Sequence, residues 1–298
     1  MLYPLSYEGG RPPRPGFGPA RSGTLTSIQG DGPYYALGMA AAAQAPAFRE
    51  TFLPDTASTR QYIGAWAVLS VVQYFVAEAA VIGAWAGPGP YSRRTGLISD
   101  LGALTCGLYN GRSICSPLHV LMNSSFVAQG LGMLLGALLL SSALLRVAAR
   151  AGVRVAAIHS GEVPWYSAVA ARILTGTAGA GTIIVGLVPE DLESGWHYAG
   201  AVMYFIAGSL ALLLLGTVWL RQSPLGWFVL ASGGVSAAAL VTAAVTGLDV
   251  PEPGTLERLM GYPITIGLAA AGLVIAQRVR QERQARKAFA RAQAARSA

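Results

Sequence analysis

Six long apolar stretches are the feature that most constrains this chain. A helix needs about 20 mostly apolar residues to cross the hydrocarbon core of a membrane, and each stretch reaches or approaches that length with almost no charge. Backbone groups in lipid must be hydrogen-bonded within the segment itself, which favours helices. We therefore predict an all-α fold, an integral membrane bundle of six transmembrane helices. The predicted spans are 62–87, 117–145, 165–188, 197–220, 224–248 and 261–277.

The composition excludes an ordinary soluble domain. Hydrophobic residues make up 53% of the chain and charged residues only 12%. In a typical soluble protein the charged share of the whole chain is about twice as large. The chain therefore belongs to the class of multi-pass membrane proteins, and no soluble domain is predicted.

The distribution of basic residues predicts the orientation. With both termini in the cytoplasm, 16 of the 21 Lys and Arg residues lie inside, four lie outside, and Arg172 lies within a span. This asymmetry follows the positive-inside rule, so we predict a protein of the cell membrane with its N- and C-termini cytoplasmic. The net charge of +7 then reflects topology and a basic tail. Anionic lipid is the predicted partner of that tail, and nucleic acid is not expected to bind.

The segments outside the spans divide the chain further. Residues 1–58 are rich in Pro, Gly and Ala and predict a disordered cytoplasmic tail, within which Met39 is an alternative start. Residues 59–280 form the predicted membrane domain, with an outer loop at 88–116, and residues 281–298 form a basic cytoplasmic tail. Small residues in "LTGTAGAGTII" and "LASGGVSAAAL" predict close helix packing in the third and fifth spans.

The outer loop contains both cysteines of the chain. Cys106 and Cys115 are separated by "GLYNGRSI", and such a pair can close a small loop in an oxidising compartment. We predict a disulfide between them, the alternative being two unpaired thiols. Because no histidine accompanies them at a suitable spacing, they do not predict a zinc site.

Several stretches resemble a known family of bacterial membrane proteins. These are "YSRRTGLISDLG" from Tyr91, then "CSPLHVLMNSSFVAQGLG", and later "GWHYAGAVMYFIAGSLALLLLG". Together they resemble the family grouped as domain of unknown function 998, with a looser likeness to the Frag and DRAM type membrane proteins. An Asn often stands two residues before the Ile in that family, where this chain has Gly96, so one loop hydrogen bond of the family is in doubt. The resemblance implies a six-span bundle and no established reaction.

Polar and ionisable residues gather at one predicted depth, near the outer ends of the spans. Glu78 is the most informative, because a carboxyl group inside a span must be protonated, paired or in contact with water. Simpler roles stay open for the others: Ser99 and Asp100 can cap a turn, the histidines can mark the interface, and Asn123 can join two helices. The candidate pocket residues are Glu78, Ser99, Asp100, His119, Asn123, Glu190, His197, Glu257 and Arg258.

Three functions are compatible with such a polar layer. The preferred hypothesis is a pocket open to the outside that binds or senses a lipid or small molecule, or supports an envelope partner. An intramembrane hydrolase would use His119 or His197 with Asp100 and Glu78, and a proton-coupled transporter would use Glu78 as a relay. Hydrolase motifs are missing from the sequence, and six unbroken spans without internal repeats do not favour a transporter. No cofactor or metal is predicted.

Overall fold

The computed structural model describes residues 56–150, 165–192 and 194–297. Six helical segments in it are long and apolar enough to cross a membrane, which confirms the all-α membrane bundle. The predicted disordered tail over 1–58, and Met39 within it, lie almost entirely outside the described residues. The helices are α1 (Thr59–Leu69), α2 (Gln73–Gly83), α3 (His119–Leu139), α4 (Ser142–Leu145), α5 (Trp165–Leu187), α6 (Gly195–Trp219), α7 (Pro224–Thr246) and α8 (Pro253–Ser297).

Local residues explain where several helices begin and end. The Ser58 side chain accepts a hydrogen bond from the amide of Gln61 at the start of α1, and Ser194 does the same for Trp196 in α6. Pro224 begins α7, where its missing amide proton costs nothing. Gly247 ends α7 in the left-handed conformation, with a φ of 62°.

The structure adds detail to two of the predicted spans. The first span is interrupted, since a 3₁₀ turn at Ser70–Val72 separates α1 from α2. There the Ser70 hydroxyl donates to the carbonyl of Ala67, a contact that competes with the regular helix ladder. The sixth helix begins at Pro253 and extends past the predicted span 261–277 at both ends, and Arg258 in its second turn is paired with Glu78 inside the protein.

Glycines allow the central helices to approach closely. A Cβ atom added at Gly179 of α5 would lie 2.7 Å from the carbonyl oxygen of Gly130 in α3. On the same helix, a Cβ at Gly181 would lie 2.5 Å from the carbonyl oxygen of Gly200 in α6. In α7, Gly233 packs in the same way against α6. The predicted small-residue packing faces are therefore confirmed for the third and fifth spans.

One end of the bundle carries the segment 88–116, and we call it the loop end. Below it, the interior is mainly apolar, with fully buried side chains such as Met133, Leu212 and Ile264. At the opposite end, which we call the tail end, α8 continues as a helix through the basic C-terminal residues. At 1.5 Å per residue its 45 residues span roughly 67 Å, about twice the thickness of a hydrocarbon core. The helix therefore extends well beyond the bundle.

Candidate functional site at the loop end

A short β-hairpin forms the most prominent part of the loop end. Its strands β1 (Gly107–Tyr109) and β2 (Arg112–Ile114) pair antiparallel. The two turn residues, Asn110 and Gly111, have φ angles of 45° and 74°, and positive φ at both positions is the pattern of a type I′ turn. Sequence reasoning missed this hairpin, although the Asn-Gly pair in "GLYNGRSI" is a strong signal for one.

The cysteines close the base of this hairpin. Cys106 immediately precedes β1 and Cys115 immediately follows β2, and the two form a disulfide with a Cα–Cα distance of 4.2 Å. The predicted disulfide is therefore confirmed. At the same end, Thr105 donates from both its amide and its hydroxyl to the Asp191 carboxylate, each at 2.9 Å. The hairpin is thus fixed at its base by a covalent bond and by a contact to the segment before α6.

Reduction of this disulfide is expected to loosen the hairpin without unfolding the bundle. With nine residues of separation, the chain-entropy model gives about 2 to 3 kcal/mol of stabilisation. The check is a thermal scan in detergent with and without reductant, beside a variant with both cysteines replaced by serine. Reductant should lower the unfolding midpoint of the native chain and leave that of the variant unchanged. An equal shift in both proteins would contradict the prediction.

The hairpin directs Arg112 back toward Asp100. The guanidinium donates to both carboxylate oxygens of Asp100, with the shortest distance 2.8 Å, and lies 3.3 Å from Glu190. Asp100 also accepts a hydrogen bond from the amide of Leu97 at 2.8 Å, within its own loop. The hydrolase hypothesis requires Asp100 to lie beside His119 or His197. None of the hydrogen bonds between described residues joins it to either histidine, because the unpredicted hairpin supplies a stronger cationic partner.

Glu190 is the unusual acid of this group. It is 4% exposed, and burial raises the pKa of Glu190 to about 8, with a further contribution from the nearby Asp100 carboxylate. The Ser99 hydroxyl and Arg112 act in the opposite direction but do not offset the rise. At neutral pH Glu190 is therefore mainly protonated.

This raised pKa predicts that stability falls as pH rises. In the unfolded chain Glu190 ionises near its ordinary pKa of 4.5, whereas in the folded protein it keeps its proton up to about 8. Between those values the folded state binds more protons, so the free energy of unfolding decreases with increasing pH. Unfolding midpoints measured from pH 5 to pH 8 should show this decrease, and Glu190→Gln should remove much of it. Glu252→Gln, at an exposed ion pair with Arg94, is the matched control. An unchanged slope in Glu190→Gln would contradict the assignment.

Glu78 and Arg258 form a buried ion pair between the first span and α8. They are 2% and 6% exposed, and the guanidinium lies 2.9 Å from a Glu78 oxygen. The Tyr262 hydroxyl donates to the same carboxylate at 2.5 Å, and Arg258 donates to the Tyr91 hydroxyl at 2.8 Å. We call these four residues the anchor cluster. Both carboxylate oxygens of Glu78 thus accept a hydrogen bond, as the position of this residue in a span requires.

The anchor cluster holds residues 91–102, which we call the loop strip, across the loop end. Arg258 donates to the backbone carbonyls of Arg93 and Gly96, at 3.0 and 2.9 Å. Further along, Glu257 accepts a hydrogen bond from the amide of Ile98. The same strip is tied to α3 and to the residues just before it. The Asn123 side chain of α3 donates to the carbonyl of Gly102 at 2.8 Å, and the Ser116 hydroxyl donates to that of Leu101 at 2.7 Å.

Beside this strip lies a groove between α6, α7 and the start of α8. Its volume is about 640 Å³. The side nearest the loop is polar, whereas the walls farther along the helices are apolar. The polar lining consists of Ser99, Asn110, Arg112, Glu190, His197, Asp249 and Glu257. The apolar lining includes Ala201, Val202, Phe205, Leu240, Ala243, Ala244 and Met260.

A smaller cavity of about 60 Å³ lies next to the groove, toward α3. The two share Ser99, His197 and Glu257 among their lining residues. Gln129 lines this inner cavity and donates to Tyr204 and Thr265, at 3.2 and 2.9 Å. The inner cavity is large enough for a few water molecules and offers them polar partners.

The structure separates the predicted site residues into three groups. Ser99, Glu190, His197 and Glu257 line the groove. A second group stabilises the loop strip through the contacts described above: Glu78, Asp100, Asn123 and Arg258. His119 lines neither cavity, and its Nδ1 lies 3.0 Å from the carbonyl oxygen of Ser116.

Several side chains of the loop end were not on the predicted list, among them Tyr262 of the anchor cluster and Asp249 of the groove lining. Arg112 was missed together with the hairpin that places it, and Tyr91 was treated only as part of a motif. Among the residues the structure describes, no group of three or more His, Cys, Asp or Glu side chains is placed to hold a metal ion.

Comparison with known proteins identifies no relative. No protein-family model matches the chain, and no curated protein or solved structure is significantly similar to it. The resemblance to the domain of unknown function 998 family stays a prediction. Function has to be inferred from the geometry of the loop end.

Proposed function

We propose that this membrane protein binds an amphiphilic molecule, a lipid or small molecule with a polar end and an apolar body, in the groove at its loop end. The observation that carries the proposal is the lining of the groove, polar beside the loop and apolar along the helices. Its volume of about 640 Å³ falls in the range of about 300 to 1,000 Å³ typical of small-molecule sites.

Access from the bilayer supports the same function. Val202 and Tyr198 on α6 line the groove and are 50% and 53% exposed, so the apolar walls reach the surface that lipid would contact. An amphiphile could then enter sideways with its chain in the hydrocarbon and its polar end at the loop. The fixed loop strip favours binding, because a site held in place before the ligand arrives loses less conformational entropy.

The contacts of Glu78 and Asp100 favour binding over the alternative functions. Glu78 is held by Arg258 and Tyr262, an arrangement suited to an anchor more than to a proton relay. Asp100 is engaged by Arg112 and the amide of Leu97, so its contacts do not place it beside the histidine that a hydrolase would use as its base. The hydrolase and transporter hypotheses gain no specific support from these contacts.

The proposal includes a groove that faces the outside of the cell, as the arginine distribution predicts. Single cysteines at Thr95 and Arg221, both exposed but at opposite ends of the bundle, test this orientation. A membrane-impermeant thiol reagent applied to intact cells should label Thr95→Cys, and should label Arg221→Cys only after the membrane is opened. The native cysteines are protected by their disulfide. The reverse labelling pattern would place the groove in the cytoplasm and overturn this part of the proposal.

Native mass spectrometry tests the binding function itself. The protein is extracted from its own membrane in a mild neutral detergent, and the mass of each retained species is measured. We expect one amphiphile bound per chain at a recurrent mass that survives delipidating washes. Random retention of bulk lipids, in proportion to their abundance, would contradict the proposal.

A further inference from the structure

We infer that the groove selects an amphiphile whose polar end carries a positive charge, such as a primary or quaternary amine. This inference rests on the proposed binding function and names its ligand class. It is based on two features of the groove: the charges of its lining residues and the ion pairs that some of them already form.

Carboxyl groups outnumber basic groups in the groove lining. The described lining contains three acids, Glu190, Asp249 and Glu257, and one Lys or Arg residue, Arg112. Asp249 is exposed at the mouth of the groove, and Glu257 lies deeper, where the groove meets the inner cavity. Because the walls beneath are apolar, the field of these groups is weakly screened inside the groove.

The guanidinium of Arg112 is already neutralised. Asp100 lies 2.8 Å away, is only 2% exposed, and is contacted through two Arg112 nitrogens. An anionic ligand would have to displace this buried carboxylate, leaving it unpaired at a large free-energy cost. Arg112 is therefore a poor receptor for a phosphate or carboxylate.

Glu257, by contrast, is suited to bind a cation. Its carboxylate is fixed by the amide of Ile98 and, among the described residues, takes part in no ion pair. Its sequence neighbour Arg258 is directed to Glu78 and to loop carbonyls. Glu257 also borders both the groove and the inner cavity, so a cation in the groove would reach it.

Aromatic side chains complete a site suited to a cation. Tyr198 and Phe205 line the groove, and aromatic faces attract amines and quaternary ammonium groups. A dodecyl chain with an ammonium end would place its charge between these rings and the carboxylates of Glu257 and Asp249, with its tail along the apolar walls.

A series of dodecyl ligands that differ only in the polar end tests the inference. The full chain is purified in a neutral detergent, and dodecyltrimethylammonium, dodecylglycerol and dodecyl phosphate each compete with a chain-labelled fluorescent probe. We expect the ammonium ligand to bind about tenfold more tightly than the glycerol ligand, and the phosphate ligand to bind most weakly. The preference should decrease with added salt.

Variants locate the preference. Asp249→Asn, at an exposed side chain, and Glu257→Gln should each weaken binding of the ammonium ligand by a larger factor than binding of dodecylglycerol. Glu252→Gln, which lies outside the groove lining, is the control and should change neither. Equal binding of the ammonium and glycerol ligands would overturn the inference while preserving the proposed function. Tighter binding of the phosphate would also overturn it, and failure of all three ligands to bind would refute both.

Discussion

Replacement of Arg258 by methionine is expected to lower the free energy of unfolding by about 3 to 5 kcal/mol, the usual cost of leaving a buried charge without its partner. Glu78 is 2% exposed and would lose the guanidinium that lies 2.9 Å away. The backbone carbonyls of Arg93 and Gly96 would lose their donor at the same time. Reversible unfolding in detergent, followed by tryptophan fluorescence, measures the loss.

Two comparisons separate the ion pair from a general effect of the substitution. Replacing both Glu78 and Arg258 by methionine should restore part of the loss, since no unpaired charge remains. Arg94→Met is the matched control, because Arg94 pairs with Glu252 at 3.0 Å but its side chain is 76% exposed. That change should have little effect, as for most surface ion pairs. Similar losses for Arg94→Met and Arg258→Met would show that the anchor cluster contributes nothing special.

Replacement of Ala201 by tryptophan is expected to weaken ligand binding by a factor of about ten or more. Ala201 lines both the groove and the inner cavity, so an indole ring there would fill the space beside Phe205 and Glu257. The readout is the recurrent bound mass in native spectra of the purified protein.

The control for this change lies on the same helix. Ile206 of α6 is 45% exposed and does not line the groove, so Ile206→Trp adds the same side chain to the same helix outside the cavity. It should retain the ligand. Equal retention by Ala201→Trp and Ile206→Trp would show that the ligand lies elsewhere.

The sequence predicts the bundle well because span length and apolar content are local properties. The ends of α6 and α7 follow from Ser194, Pro224 and Gly247, which act within a few residues of their position. The disulfide was also predictable, since its cysteines are only nine residues apart. Hairpin formation was equally local and could have been read from Asn110 and Gly111.

The candidate site is less predictable because its contacts are distant in the sequence. Glu78 and Arg258 are 180 residues apart in the sequence. Because Arg258 is charged, the predicted sixth span began only at residue 261, whereas α8 begins at Pro253. No local pattern in the sequence shows that Arg258 will form an ion pair with the buried carboxylate of Glu78. Likewise, Arg112 and Glu190 meet only after the hairpin has folded over the helix ends.

The groove itself depends on how two helices separate. Most of α6 and α7 is apolar on every face, so their sequences do not reveal which side faces lipid and which side faces a cavity. The polar residues at the loop end could be predicted to lie at one depth. Which of them line a cavity, such as Glu257, and which anchor the loop, such as Asp100, follows only from the three-dimensional contacts.

Electron cryomicroscopy of the protein, transferred from its own membrane into lipid nanodiscs without added ligand, would show whether the groove holds an amphiphile. We expect elongated density in the groove, with its apolar part against Phe205 and Leu240 and its polar end within hydrogen-bond reach of Glu257 or Asp249. A map in which α6 and α7 close against each other, or in which the groove holds only water, would contradict the claim that this site binds an amphiphile.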